Sequence, residues 1–312
     1  MSEAVRERSF GALGVDTSNY TSSAAVMFSD KTCRSEKKLL PVPQGSLGLR
    51  QSDAVFAHVK QFAEVFSRLE ISGEDIRAVG VSSRPRNVEG SYMPCFMYGV
   101  SVAQMLGSVY GVPVYEFSHQ QGHIAAAVYS SGMDMLFDRP FMCFHASGGT
   151  TELLRVNSLD DISIAAATAD ISVGQLIDRV GVMLGSSFPA GPFLEKLSLN
   201  GTLPERPVVR IKDGRCSLSG FENKTKNMLE KGISPENIAF YTIETVASTV
   251  KKMVDEYNPE KLPVVYVGGV MSNERIRSVL SDDNSYFAES RFSSDNAAGI
   301  AYLALRKTEV GL

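Results

Sequence analysis

One pattern occurs twice and constrains the fold more than any other feature. Gly14–Val26 reads as strand, small polar turn (DTSNYT), strand, and Cys143–Leu154 repeats that order around SGGTT. Mixed helix and strand signals follow each copy. A chain of 312 residues has room for about two domains. The repeat predicts an α/β protein of two similar lobes, 11–130 and 131–312, with a ligand cleft between them. Ala54–Leu69 carries apolar residues at Val55, Phe56, Val59, Phe62, Val65 and Phe66, a helical spacing. Ile76–Ser82, Val112–Phe117 and Leu262–Val267 read as strands. Met97–Tyr110, His119–Tyr129, Asn237–Tyr257 and Asp295–Arg306 read as helices.

Composition excludes several classes. Lys+Arg number 31 against 35 Asp+Glu, so the chain is not a globally basic nucleic-acid binder, although a local basic groove stays open. Arg206, Arg210, Lys212, Arg215, Lys224, Lys226 and Lys231 are either a solvated face or such a strip. Cys33, Cys95, Cys143 and Cys216 show no CxxC spacing and read as reduced. No apolar run reaches 18 residues and the first ten residues are polar, so neither a membrane span nor a leader is expected, and a cytoplasmic protein is.

The sharpest chemical feature is His119-Gln-Gln-Gly-His123. Imidazoles at i and i+4 share a helix face and can share a divalent metal; they can equally be unrelated histidines. A third ligand must come from elsewhere, and Asp295 in SSDNAAG is the best candidate, unless it serves only the helix start. There is no HExxH glutamate, which disfavours a metalloprotease. Three small-residue turns could hold phosphates: Thr17-Ser18 after Asp16, Ser147–Thr150, and Gly268-Gly269. None matches GxGxxG or GxxxxGK[ST]. Asp178 could accept from ribose hydroxyls or face solvent, and Asn273 could cap a helix or touch a ligand.

Taken together, these motifs resemble the TsaD family (older name Gcp) of the actin-like ATPase superfamily, collinearly from about Gly11 to Arg306. GVDTS resembles GIETS, HQQGH resembles HMEGH, and ASGGTT resembles VSGGHT. GQLIDR with FPAGP resembles GEAFDK with YPGGP; VGGVMSN resembles AGGVSAN, and SSDNAAGIA resembles CTDNAAMIA. The resemblance implies two actin-like (RNase H-like) lobes and one Fe²⁺ or Zn²⁺ ion on His119, His123 and Asp295. It implies ATP or an acyl-adenylate on His145, Ala146, Ser147, Gly148, Gly149, Asp178, Gly191 and Asn273. The phosphate-turn candidates are Thr17, Ser18, Thr150, Gly268 and Gly269. The implied activity is transfer of a threonylcarbamoyl group to N6 of the tRNA adenosine beside the anticodon. TsaB-like and TsaE-like proteins, or a TsaD-type paralogue, are the implied partners. The sequence departs from the family at several points. Asn19-Tyr20-Thr21-Ser22 replaces an acidic pair, Ser83–Gly90 brings in Arg84 and Arg86, Thr150 replaces a histidine, and Gln175 replaces a glutamate. These leave two alternatives open: a nucleotide-binding paralogue with a regulatory or dimerisation role, and a carbamoyl-type transferase with another acceptor.

Overall fold

The computed structural model describes residues 9–18, 21–41, 49–292 and 296–309. The chain forms two compact units, one of 1–130 with 291–312 and one of 131–290. The first sheet comprises β1 (Phe10–Ser18), β2 (Thr21–Phe28), β3 (Cys33–Leu39), β4 (Asp75–Arg84) and β5 (Val114–Ser118). Its order is β3-β2-β1-β4-β5, with β1–β2 and β2–β3 antiparallel and β1–β4 and β4–β5 parallel. β1 is buried from Gly11 to Thr17 because it lies in the middle of the sheet with both faces covered, so its sequence does not alternate. β3 forms the edge and carries Arg34, Glu36, Lys37 and Lys38, charges that discourage pairing with a further strand. The helices are α1 (Gln51–Ser67), α2 (Phe96–Tyr110) and α3 (His119–Ser130).

In the second unit, β6 (Phe141–Ala146), β7 (Thr151–Ser158) and β8 (Asp161–Thr168) precede α4 (Val173–Met183) and α5 (Gly191–Ser198). Then follow β9 (Arg215–Cys216), α6 (Ser219–Glu230), α7 (Pro235–Tyr257), β10 (Val264–Val267), α8 (Glu274–Leu280) and β11 (Ser285–Phe287). The sheet order is β11-β10-β6-β7-β8-β9. Without β9 it repeats the first sheet: β6 and β7 take the places of β1 and β2, and β10 and β11 those of β4 and β5. The twofold pattern in the sequence is thus a duplication of topology, as an actin-like fold requires. Each unit has its own core, Leu13, Val26, Phe62 and Val79 in one and Phe144, Leu153, Leu176 and Tyr241 in the other.

The expected second lobe, 131–312, is corrected at its end. The last helix, α9 (Asn296–Glu309), belongs to the first unit. Gly14 and Gly80 let it lie directly on β1 and β4, since a methyl at either would run into α9 backbone oxygens. Gly299 does the same for α9 against the Gly122 carbonyl of α3. Cys95, Cys143 and Cys216 are buried, and burial pushes the thiols of Cys95 and Cys216 up to about 11 and that of Cys143 to about 12, which disfavours the reactive thiolate.

Candidate metal and nucleotide sites

In the first unit, four elements bring polar side chains to the C-terminal end of β1. Asp16 is 1% exposed there. Its Oδ2 accepts from Ser82 Oγ of β4 at 2.5 Å, His119 Nδ1 of α3 at 2.8 Å and Asn296 Nδ2 of α9 at 2.6 Å. Its Oδ1 accepts from Ser18 N at 2.9 Å. Burial alone pushes this carboxyl up, but the neighbouring His119 imidazole and the donors from His119, Ser82 and Asn296 outweigh it, and the group is held well below the usual carboxylate range. An ionised Asp16 cannot donate, so the proton of the Asp16–His119 bond sits on Nδ1. Nε2 of His119 is then the ring nitrogen directed away from Asp16.

His119 Nε2 lies 3.0 Å from His123 Nε2, with the rings edge to face at 76°. The two rings are thus within direct hydrogen-bond reach of each other, and a tetrahedral ion held by both nitrogens at about 2.1 Å would need them about 3.4 Å apart, a small opening of the pair. The Asp16 bond is of the kind that orients a metal-binding histidine from behind. Asn296 Oδ1 is buried with no partner in the protein. Among the described residues no three His, Cys, Asp or Glu side chains gather as a metal site. The expected third ligand, Asp295, lies outside the described residues. A cavity of about 270 Å³ opens beside the histidines, walled by Ser18, Thr21, Ser23, Pro85, Met93 and Phe96.

The structure corrects one phosphate candidate in this unit. Thr17 is fully buried, its hydroxyl donating to Cys95 O at 2.9 Å and accepting from Gly99 N at 3.1 Å, so it secures α2 instead of facing a ligand. Ser18 does line the cavity. Arg84 is held by its own loop, its Nη2 donating to Asn87 Oδ1 at 2.6 Å. Sequence reasoning placed Asp16 in a turn and missed Ser82 and Asn296; polar residues at the ends of buried strands and helices were the available signal.

The second unit holds a separate cavity of about 350 Å³. Of the expected nucleotide contacts, Gly148, Asp178, Gly191 and Asn273 line it, together with the phosphate candidate Gly269. The β6–β7 turn is fixed against α4: Ser172 Oγ donates to Gly148 O at 2.9 Å, and Gly174 leaves room for the Ser147 carbonyl. Asp178 Oδ1 accepts from Ala190 N at 2.8 Å and so holds the start of α5. Asn273 caps α8, its Oδ1 accepting from Ile276 N at 2.9 Å. Capping and cavity lining are thus both true of it.

The glycines divide into two groups. Gly174, Gly181 and Gly268 are required by packing, and Gly268 also by its φ of 105° against the Ala146 carbonyl. A methyl at Gly148, Gly191 or Gly269 would meet no protein atom within 4 Å, and none of these has positive φ. Nothing within the chain demands glycine there, whereas a ligand approaching the bare backbone would.

Ser147, Gly149, Thr150, His145, Ala146 and Gly268 do not line this cavity. Ser147 Oγ accepts from Thr150 N at 3.1 Å and Gly149 N at 3.4 Å, closing the turn on itself. His145 sits on β6 opposite Glu152 of β7, and Ala146 is buried. Sequence reasoning missed the apolar walls Ile177, Phe188, Ile243 and Val270, and the acidic Glu195.

Solved structures under a fifth identical share the fold of this chain. HypF of T. kodakarensis superposes with a TM-score of 0.62 at 12% identity, over 97% of this chain and 48% of that one. Component A of Acidaminococcus fermentans (R)-2-hydroxyglutaryl-CoA dehydratase gives 0.57 at 16% identity, over 96% and 99%. The tRNA N6-adenosine threonylcarbamoyltransferase of Nautilia profundicola is 28% identical, over 96% of this chain and 94% of that protein. The protein of that name from Mycoplasma capricolum subsp. capricolum is 28% identical, over 80% and 82%. Residues 54–302 match the family described as TsaD: tRNA N6-adenosine threonylcarbamoyltransferase, and the chain belongs to that family.

Proposed function

We propose that the chain transfers a threonylcarbamoyl group from its adenylate to N6 of the tRNA adenosine beside the anticodon. The observation that carries this reading is the Asp16–His119–His123 array, built on a relative-like motif in a chain of this family. His119, His123 and Asp295 would hold one Fe²⁺ or Zn²⁺ ion, which when bound supplies Lewis acidity to a carbamoyl or phosphoryl oxygen. Asp16 fixes the His119 tautomer, keeps Nε2 available and carries a negative charge behind it. ATP or the acyl-adenylate would occupy the cavity of the second unit. There Asp178 accepts from ribose hydroxyls through Oδ2, since Oδ1 is held by Ala190 N, and the bare backbone of Gly148, Gly191 and Gly269 admits the ligand. Attack by a weakly nucleophilic exocyclic amine depends on positioning more than on a strong base. The acceptor tRNA, TsaB-like and TsaE-like partners and a cytoplasmic setting belong to the same reading.

A second reading, a nucleotide-binding regulatory partner of a related enzyme, is favoured by one observation. Asp16 is the single carboxylate among the described residues lining the histidine cavity, and its oxygens are already engaged. The deciding experiment incubates the full chain, with and without TsaB-like and TsaE-like proteins, with threonylcarbamoyl-adenylate and unmodified tRNA. Digestion to nucleosides is expected to release N6-threonylcarbamoyladenosine. Metal and nucleotide binding without that product would sink the transferase reading and leave the regulatory one.

A further inference from the structure

The second unit carries another cavity, of about 390 Å³, that neither the metal nor the nucleotide reading uses. It opens at the start of β10, whereas Gly269 of the nucleotide cavity follows the other end of that strand. Its size lies within the range of small-molecule sites, roughly 300–1,000 Å³. The floor is apolar: Val264 is buried, and Val254 and Leu262 are half-buried. The rim is charged, with Asp255, Asp282 and Lys261 exposed on it.

The needs of the fold do not account for that rim. Asp255 stands in the last turn of α7, a turn without a basic side chain, where a carboxylate adds to the negative end of the helix dipole. Its ion pair with Lys251 is long, at 3.9 Å, and exposed. Asp282 uses one oxygen to close its own turn, Oδ1 accepting from Asn284 N at 2.9 Å and Ser285 Oγ at 2.7 Å, and Oδ2 accepts from none of the described residues. Lys261 has a left-handed backbone, φ 52°, which residues other than glycine and asparagine rarely adopt. That backbone is held firmly: Lys261 N donates to Asn258 O at 3.0 Å, and the Asn258 amide brackets Leu262 N and O at 2.9 and 2.8 Å. The Lys261 ammonium itself has no partner among the described residues. The two aspartates come from separate segments but lie near one another. After burial, the main influence, the charges of both make the Tyr266 hydroxyl harder to ionise.

The rim thus offers two anionic groups and one cationic group around an apolar floor. A basic α-amino acid is the complement, with two cationic groups, one carboxylate and an aliphatic stem that can lie on the floor while its charged ends stay in the rim. A diamine would leave Lys261 facing a like charge, and a neutral amino acid would leave one aspartate unmet. We infer that the cavity between the end of α7 and the α8–β11 turn binds a free basic amino acid of the lysine type, its cationic groups on Asp255 and Asp282 and its carboxylate on Lys261.

Calorimetric titration of the full chain with L-lysine, cadaverine and 6-aminohexanoate tests it. Cadaverine lacks the carboxylate, and 6-aminohexanoate lacks the α-amine. The unaltered protein is expected to bind L-lysine about tenfold more tightly than either, the worth of one charge-assisted contact. Lys261→Asn suits the left-handed backbone and removes the ammonium, so it should bring L-lysine down to the affinity of cadaverine and leave cadaverine no weaker. Asp282→Asn keeps Oδ1 for Asn284 N and Ser285 Oγ, and should weaken L-lysine and cadaverine alike by about tenfold. Both variants should melt close to the parent. Absence of L-lysine binding at about 10 mM overturns the inference, as does cadaverine binding to the unaltered protein as tightly as L-lysine. Unchanged L-lysine affinity in either folded variant overturns it too. The three-ligand comparison is made on the unaltered protein and decides the matter even where a variant does not fold.

Discussion

Asp16 shows how much one side chain can organise. It ties β1, β4, α3 and α9 together through Ser82, His119 and Asn296. Asp16→Asn keeps the shape but removes the charge behind His119 and makes one end of the side chain a donor. Affinity for added Zn²⁺ is expected to fall about 10–100-fold, as for other outer-shell changes, read by competition with a chromophoric chelator. Unchanged affinity would show that Asp16 serves the fold alone. At the other site, Gly191→Ala is expected to leave the melting temperature nearly unaltered and weaken ADP binding severalfold, because the added methyl meets no protein atom yet borders the cavity. Loss of stability in that variant would remove the argument that a ligand, not packing, demands the glycine. The histidine pair was legible because i, i+4 spacing fixes relative direction on a helix. Asp16 was misplaced because DTS reads locally as a turn, and nothing local tells that β1 runs through Ser18 or that three partners arrive from residues far along the chain.

Single elements are held by groups from distant segments. The N-terminus of α6 is capped from outside: Asp170 accepts from Leu218 N at 2.8 Å, Ser219 N at 3.1 Å and Ser219 Oγ at 2.6 Å. Burial is the largest single influence and pushes the Asp170 carboxyl up, but these bonds and the Ile171 N–H together outweigh it and hold the carboxyl below its ordinary value. A lowered carboxylate contributes stability above its unfolded value of about 3.9 and loses it as pH falls through the folded value. Asp170→Ala should therefore cost about 1 kcal/mol near pH 7, and the gap to the parent should close below about pH 4. Urea unfolding at both pH values checks this; a gap independent of pH would mean packing, not charge, is lost. Gly299→Leu is expected to destabilise the first unit by about 1–3 kcal/mol or more, since the side chain enters α3 backbone. The long helices were legible from their apolar spacing. β3, β8, β11 and α6 were not, since edge strands and a Lys/Glu/Asn-rich helix carry little hydrophobic pattern.

At the scale of the molecule, the duplicated strand order was visible in the sequence as a repeated strand–turn–strand, because the turn chemistry is local. The assignment of α9 to the first unit was not, since an alanine- and glycine-rich helix says only that it packs closely, not against what. One outcome follows for fragments. Residues 131–290 contain a whole sheet and core, so this fragment alone is expected to melt cooperatively by circular dichroism. Residues 9–130 without α9 leave Gly14 and Gly80 uncovered and are expected not to. Cooperative melting of that shorter fragment would contradict the role given to α9. During synthesis, residues 131–290 leave the ribosome with all they need, whereas the first unit must wait for Asn296 and the helix behind it. The Asp16–His119–His123 array, which Asn296 braces, is thus the last thing a nascent chain completes, and a prematurely released polypeptide lacks it.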